Sequence, residues 1–136
     1  MLVPVNGDRV ADEALVLACN LMRRSKGTVY AVYVIEVART LALDAEMGDE
    51  ATQAEQVLQR AEQIGEEMDC KVEGEILQAR DAGHAIVDEA IERDVSAIVM
   101  GVSSAPAQRE LGLTARYVLE HAPCQVILLR SAMQEQ

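Results

Sequence analysis

Apolar positions in this 136-residue chain fall into short continuous runs, separated by longer stretches where they recur every three or four residues. The runs are Leu2–Val5, Thr28–Val37, Lys71–Leu77, Ser96–Met100 and Gln125–Leu129. Short Val/Ile-rich runs without clean alternation read as strands covered on both faces. Lys71–Leu77 differs: Val72, Gly74 and Ile76 alternate with Glu73 and Glu75, the pattern of an edge strand with its charge turned outward. Between the runs, Val10, Ala14, Leu17, Ala18, Leu21 and Met22 predict the buried stripe of a helix. That helix starts at the Asn6–Gly7–Asp8 turn, with Asp8 as N-cap, and reaches Lys26, where Gly27 stops it; Arg23, Arg24 and Lys26 suit its last turn. Residues 38–50 read as a loop, followed by a second helix marked by Ala54, Val57, Leu58, Ala61, Ile64 and Met68. A third covers Asp81–Asp94, with Ala85, Ile86, Ala90 and Ile91 inward, and a fourth lies between Gly112 and Ala122.

Strands alternating with helices predict one α/β domain over residues 1–136, a three-layer sandwich around a doubly wound parallel sheet of five strands with four helices. Right-handed crossovers favour the order 3-2-1-4-5. That order leaves Val126–Leu129 at an edge with no charge before Arg130, so the chain is expected to form a homodimer through this strand.

Composition narrows the partners. Half the residues are apolar, yet Phe and Trp are absent and only three Tyr occur, so the core is aliphatic. The formal charge is -11, and twelve acidic against three basic residues between Glu36 and Glu75 account for -9 of it. From Gly101 to Arg130 the balance is slightly positive, with Arg109, Arg116 and Arg130 against Glu110 and Glu120. Without a basic face or an aromatic platform, nucleic acid is not an expected partner. Cys19, Cys70 and Cys124 are widely spaced and form neither a disulfide framework nor a zinc pair, which points to a reducing cytoplasm. The apolar runs are far too short to span a membrane, and no signal peptide is apparent. The first strand begins at residue 2, as in a minimal domain or one cut from a longer chain.

In an open parallel sheet, ligands bind beyond the carboxyl ends of the strands where the order reverses. That places Pro4, Val5, Asn6 and Gly7 opposite Met100, Gly101, Ser103 and Ser104. Gly101 ends one strand, and Gly112 precedes a helix whose N-terminal N–H groups suit an anion. The alternative is that both glycines only serve tight turns.

No catalytic constellation emerges. The chain has no P-loop, and its first turn has one glycine where a dinucleotide fingerprint needs three, which weakens Glu36 as a ribose-binding acid. Ser103 and Ser104 lack a nucleophile elbow and a base, so turn or capping roles suit them better. His84 and His121 form no metal cluster with the cysteines, and Cys124 reads as inert packing. Glu13, Asp88 and Glu89 read as solvated helix charge.

The run Ile98–Val99–Met100–Gly101, a small-residue loop, Gly112, then Val118–Leu119–Glu120–His121–Ala122–Pro123–Cys124 and an apolar strand resembles the C-terminal half of the universal stress protein family. The resemblance extends over essentially the whole chain. It implies the same strand order, dimerisation through the last strand and a role in stress regulation. It also implies weak or atypical binding of ATP or AMP, with magnesium accompanying ATP. By resemblance, Asn6 stands where nucleotide-binding relatives commonly place a ribose-contacting Asp. Val34 would offer backbone contacts to adenine, Met100 and Gly101 would line base and ribose, and Gly112, Leu113 and Thr114 would cradle phosphates.

Ser104 holds the second glycine position of the family's Gly-x-x-Gly, Gly112 comes two residues early, and Leu113 replaces a hydroxyl residue. A nucleotide-free dimeric interaction domain is therefore the second expectation, decided by whether loop 102–111 opens or folds across the cleft. Slow ATP hydrolysis, which the resemblance allows, has no base assigned to it here. The Asn6 opening, Val29–Glu36 and Ala79–Gly83 resemble the branch that follows membrane transporters as a cytosolic domain.

Overall fold

The structure is a computed structural model that describes residues 1–102 and 112–131. Among these, β1 (Leu2–Pro4), α1 (Arg9–Met22), β2 (Thr28–Glu36), α2 (Gly48–Glu67), β3 (Lys71–Ala79), α3 (Ala82–Arg93), β4 (Ala97–Val102), α4 (Leu113–His121) and β5 (Gln125–Arg130) follow one another. The strands form one parallel sheet in the order β3-β2-β1-β4-β5. Fold class and strand order are as the apolar pattern predicts.

The period of two along each strand divides the core. Val3, Val29, Ala31 and Val99 face α1 and α2, together with Ala14, Leu15, Ala18, Cys19, Leu58 and Ala61. Leu2, Val32, Ile98 and Met100 face the other side, where Ile86, Val87, Ala90, Ala115 and Val118 of α3 and α4 close over them. In β5, Ile127 and Leu129 go with the first side, and Val126 and Leu128 with the second. Each apolar run thus feeds two cores, which is why the central strands lack polar alternation.

Several local expectations are corrected. The buried face of α1 is Ala11, Ala14, Leu15, Ala18 and Cys19, while Leu21 is exposed. Small residues face the sheet because helix and strand approach closely: a Cβ on Gly101 would lie 2.8 Å from the backbone carbonyl of Val10. The helix stops at Met22, so Arg23 and Lys26 lie beyond its last turn, and Lys26 itself takes the left-handed conformation at φ 54. Asp8 occupies the N-cap but makes no side-chain cap bond there. The second helix begins at Gly48, inside the stretch read as loop. On α3, Ile91 is exposed and Glu89 is buried, at 57% and 8% relative exposure, the reverse of the expected face.

The buried Glu89 has partners. Arg93 Nε donates to Glu89 Oε2 at 2.6 Å, and its Nη2 donates to Glu75 Oε2 at 2.8 Å. The guanidinium carbon also lies 4.3 Å from the centroid of the Tyr30 ring. Glu75, read as an outward charge, is half-buried beneath the end of α3 and ties β3 to it.

Candidate functional site

The carboxyl end of the sheet opens between β1 and β4. Their recorded register is Leu2 opposite Ile98, and beyond it β4 runs on through Met100, Gly101 and Val102 alongside Leu128, Leu129 and Arg130 of β5. On the other side Pro4 lies opposite Val32, and the Val5 N–H donates to the Val32 carbonyl at 2.9 Å. Strand β2 continues past this point, so Val34 projects beyond the end of β1, paired with Leu77 of β3. Pro4, Val5, Asn6, Val34, Met100 and Gly101 lie toward the carboxyl ends of β1, β2 and β4 or in the turn that follows β1. Met100 is buried and Val34 is half-buried against the same apolar cluster. Ser103, Ser104 and the decisive loop, from residue 103 to 111, lie outside the described residues.

Asn6 is exposed but engaged. Its Nδ2 donates to Asp8 Oδ2 at 3.1 Å, and its Oδ1 accepts the Asp8 N–H at 3.0 Å. This is a local side-chain turn that steers the chain into α1, with Gly7 at φ 94 completing it. Each end of the amide retains hydrogen-bonding capacity, one N–H and one lone pair.

The two glycines of the site differ. Gly101 is required by packing, since any Cβ there strikes the backbone of Val10. Gly112 is required by no packing among the described residues, nor by its backbone conformation. It is the N-cap of α4 at φ -63 and ψ 163, and a Cβ added to it would meet no atom of the described residues within 4 Å. Its carbonyl accepts the Arg116 N–H at 3.1 Å, which starts the helix. The first turn carries no acidic residue, Leu113 is 87% exposed and Thr114 is half-buried. N–H groups in a helix's first turn lack intrahelical partners and carry the positive end of its dipole. The chemistry of this donor set suits an anion, and no carboxylate of the first turn opposes one.

Sequence reasoning missed the latch beside this opening. Glu36 Oε2 accepts the Ala82 N–H at 3.0 Å, which commits this carboxylate to the N-terminus of α3 instead of a ribose. Arg80 Nη1 donates to the Ala38 carbonyl at 2.5 Å, and Gln78 Nε2 donates to the carbonyls of Leu43 and Ala45 at 2.9 and 3.0 Å. Loop 38–45 is thereby tied to the end of β3. Asp81 caps α3 by accepting the His84 N–H at 3.0 Å, and His84 holds its carboxyl below the usual Asp range. Tyr117 lies stacked between His84 and His121, with ring centroids 4.0 and 4.1 Å away. The histidines thus join α3 to α4, and among the described residues no group of His, Cys, Asp and Glu is arranged to hold a metal.

Comparison with known proteins follows the same outline. Residues 1–130 match the model of the universal stress protein family. A universal stress protein of Methanocaldococcus jannaschii is 27% identical over 143 residues, covering 99% of this chain and 84% of that protein. The solved UspA of Lactobacillus plantarum is 29% identical with a TM-score of 0.77, covering 95% of each chain. A universal stress protein of Archaeoglobus fulgidus, solved in complex with dAMP, is 25% identical with a TM-score of 0.76, covering 93% of this chain and 94% of that one.

Proposed function

Because the chain belongs to the universal stress protein family, we propose that it is a cytoplasmic regulatory module of stress response that binds AMP or ATP where β1 and β4 part. The observation that carries this reading is Gly112, a glycine whose Cβ position meets nothing among the described residues, at the start of a helix whose first turn holds no acidic residue. A phosphate would lie against Gly112, Leu113 and Thr114, with Met100 and Gly101 beside the sugar and base and Val34 offering backbone groups to adenine. Asn6 would meet a ribose hydroxyl through whatever its pairing with Asp8 leaves open. Any magnesium would arrive with ATP. The dAMP complex of the Archaeoglobus fulgidus protein supports the ligand class.

A second reading, a nucleotide-free dimeric interaction domain, is favoured by β5, which pairs with β4 on one side only among the described residues. Titration calorimetry of ATP and AMP into nucleotide-stripped protein with magnesium separates the two. Saturable binding below about 100 μM, roughly 5.5 kcal/mol, is expected. The variant Gly112→Val is expected to lose that binding while costing less than about 1 kcal/mol of stability. Absence of heat up to millimolar nucleotide would leave the second reading standing.

A further inference from the structure

Strand β3 ends the sheet and pairs with β2 alone, in unbroken register from Lys71 opposite Thr28 to Ala79 opposite Glu36. The Ala79 carbonyl accepts the Val37 N–H at 2.8 Å, which fixes the phase of the ladder. In a parallel pair, every second residue turns both of its backbone groups to the same neighbour. Lys71, Glu73, Glu75, Leu77 and Ala79 therefore face β2 with their backbone, and Val72, Gly74 and Ile76 direct their N–H and C=O groups away from it. Among the described residues, no backbone group meets them there. Gly74, at the centre of this stretch, is exposed. A Cβ on it would lie 3.2 Å from Leu58 of α2, so the glycine lets the helix close over the strand and leaves no side chain beside the open backbone. A groove flanks the strand on each face of the sheet. On the α2 side it measures about 470 Å³ and is lined by Glu55, Glu62, Thr52, Gln56 and Gln59 beside Gly74, with no cation among the described residues. On the α3 side it measures about 380 Å³ and is lined by Tyr30, Glu75, Glu89, Glu92 and Arg93. Arg93 is taken up by Glu75 and Glu89, and Lys71, at the start of the strand, by Glu73 at 3.5 Å. Glu55, Glu62 and Glu92 are exposed and make no ion pair among the described residues.

We propose that β3 is a docking edge for an extended, lysine- and arginine-rich segment of a partner protein, which adds to the sheet as a further strand. The open N–H and C=O groups of Val72, Gly74 and Ile76 supply its backbone bonds. Successive side chains of a strand point to opposite faces. Neighbours within one basic run therefore reach Glu55 and Glu62 on the α2 side and Glu92 on the α3 side. The backbone holds the segment, and the carboxylates on both faces select its charge. They also turn away a second copy of this chain, because β3 against β3 would set acidic grooves against each other.

The test titrates a short synthetic peptide of lysine, valine and threonine into the isotope-labelled whole chain in about 0.15 M salt. Saturable binding is expected, with amide hydrogen exchange slowed at Val72, Gly74 and Ile76 and unchanged at Glu73 and Glu75, whose N–H groups already face β2. Glu62→Lys and Glu92→Lys are each expected to weaken binding about fivefold, and Glu120→Lys, on α4 at the far side of the sheet, less than about twofold. A peptide of the same sequence N-methylated at successive residues keeps its charge but has no N–H to donate, and is expected to bind at least about tenfold more weakly. Equal binding of the two peptides, or an equal loss in Glu120→Lys, would reduce the effect to attraction between a cation and a chain of charge -11 and overturn the proposal. So would an absence of saturable binding, or slowed exchange confined to other strands. Exchange at Val72, Gly74 and Ile76 that slows with protein concentration alone would make a second copy the occupant and overturn it too.

Discussion

Gly101 shows what one missing methyl group does. Its neighbours are backbone atoms of Val10 at 2.8 Å, and backbone cannot swing aside as a side-chain tip can. Gly101→Ala is therefore expected to push α1 off the sheet and cost about 1–3 kcal/mol in a denaturant melt, whereas at Gly112 a Cβ meets nothing among the described residues. Nothing in the sequence separates these two glycines, because the atoms that decide are distant in the chain. Asn6 was more legible: Asn-Gly-Asp spells a turn, and the turn is present. What the spelling leaves out is that Asp8 uses both ends of the Asn6 amide instead of capping α1 with its own carboxylate.

At the scale of elements, the strands were legible because burial on two faces leaves an unbroken apolar run. Helix faces were less so. In α1 large apolar residues occur all round, and closeness to the sheet selects the alanines for the inner face. In α3 the buried Glu89 could not be read from its own helix, since Glu75 and Tyr30 come from β3 and β2. This cluster makes stability depend on pH. Burial, and then Glu75 beside it, push the Glu89 carboxyl above its usual value of 4.5. Burial works against ionisation of Glu75 too, but its bonds to Glu89 and Arg93 prevail and hold it below 4.5. A raised folded-state carboxyl binds its proton more tightly than the unfolded chain does. The Glu89 contribution therefore weakens the fold as pH rises from 4.5 through its raised value, and Glu75 costs stability only further into acid. Glu89→Gln, which keeps an acceptor for Arg93, is expected to flatten the pH dependence of the denaturation midpoint above 4.5. An unchanged slope would show that Glu89 does not carry it.

For the whole molecule, the doubly wound layout puts the candidate nucleotide site at the carboxyl end of the sheet. That site could be sought from the sequence because a topological rule points to it. The edges differ as well. Strand β3 pairs with β2 over its whole length, from Lys71 opposite Thr28 to Ala79 opposite Glu36, and carries charge. Strand β5 presents Val126, Ile127, Leu128 and Leu129, each half-exposed. Pairing of two such edges predicts a dimer in sedimentation equilibrium at micromolar concentration. A monomer up to about 100 μM, where 5.5 kcal/mol would suffice to associate, would rule it out.

The stacked rings of α3 and α4 have an optical consequence. The chain has no tryptophan and no phenylalanine, so its near-ultraviolet signal comes from three tyrosines, one of them Tyr117 between two imidazoles. That ring sits one turn along α4 from Thr114, and any shift of the helix on binding an anion changes its overlap with His84. The protein thus carries its own chromophore beside the place where its ligand is expected, and the arrival of nucleotide can be watched by tyrosine circular dichroism with no label attached.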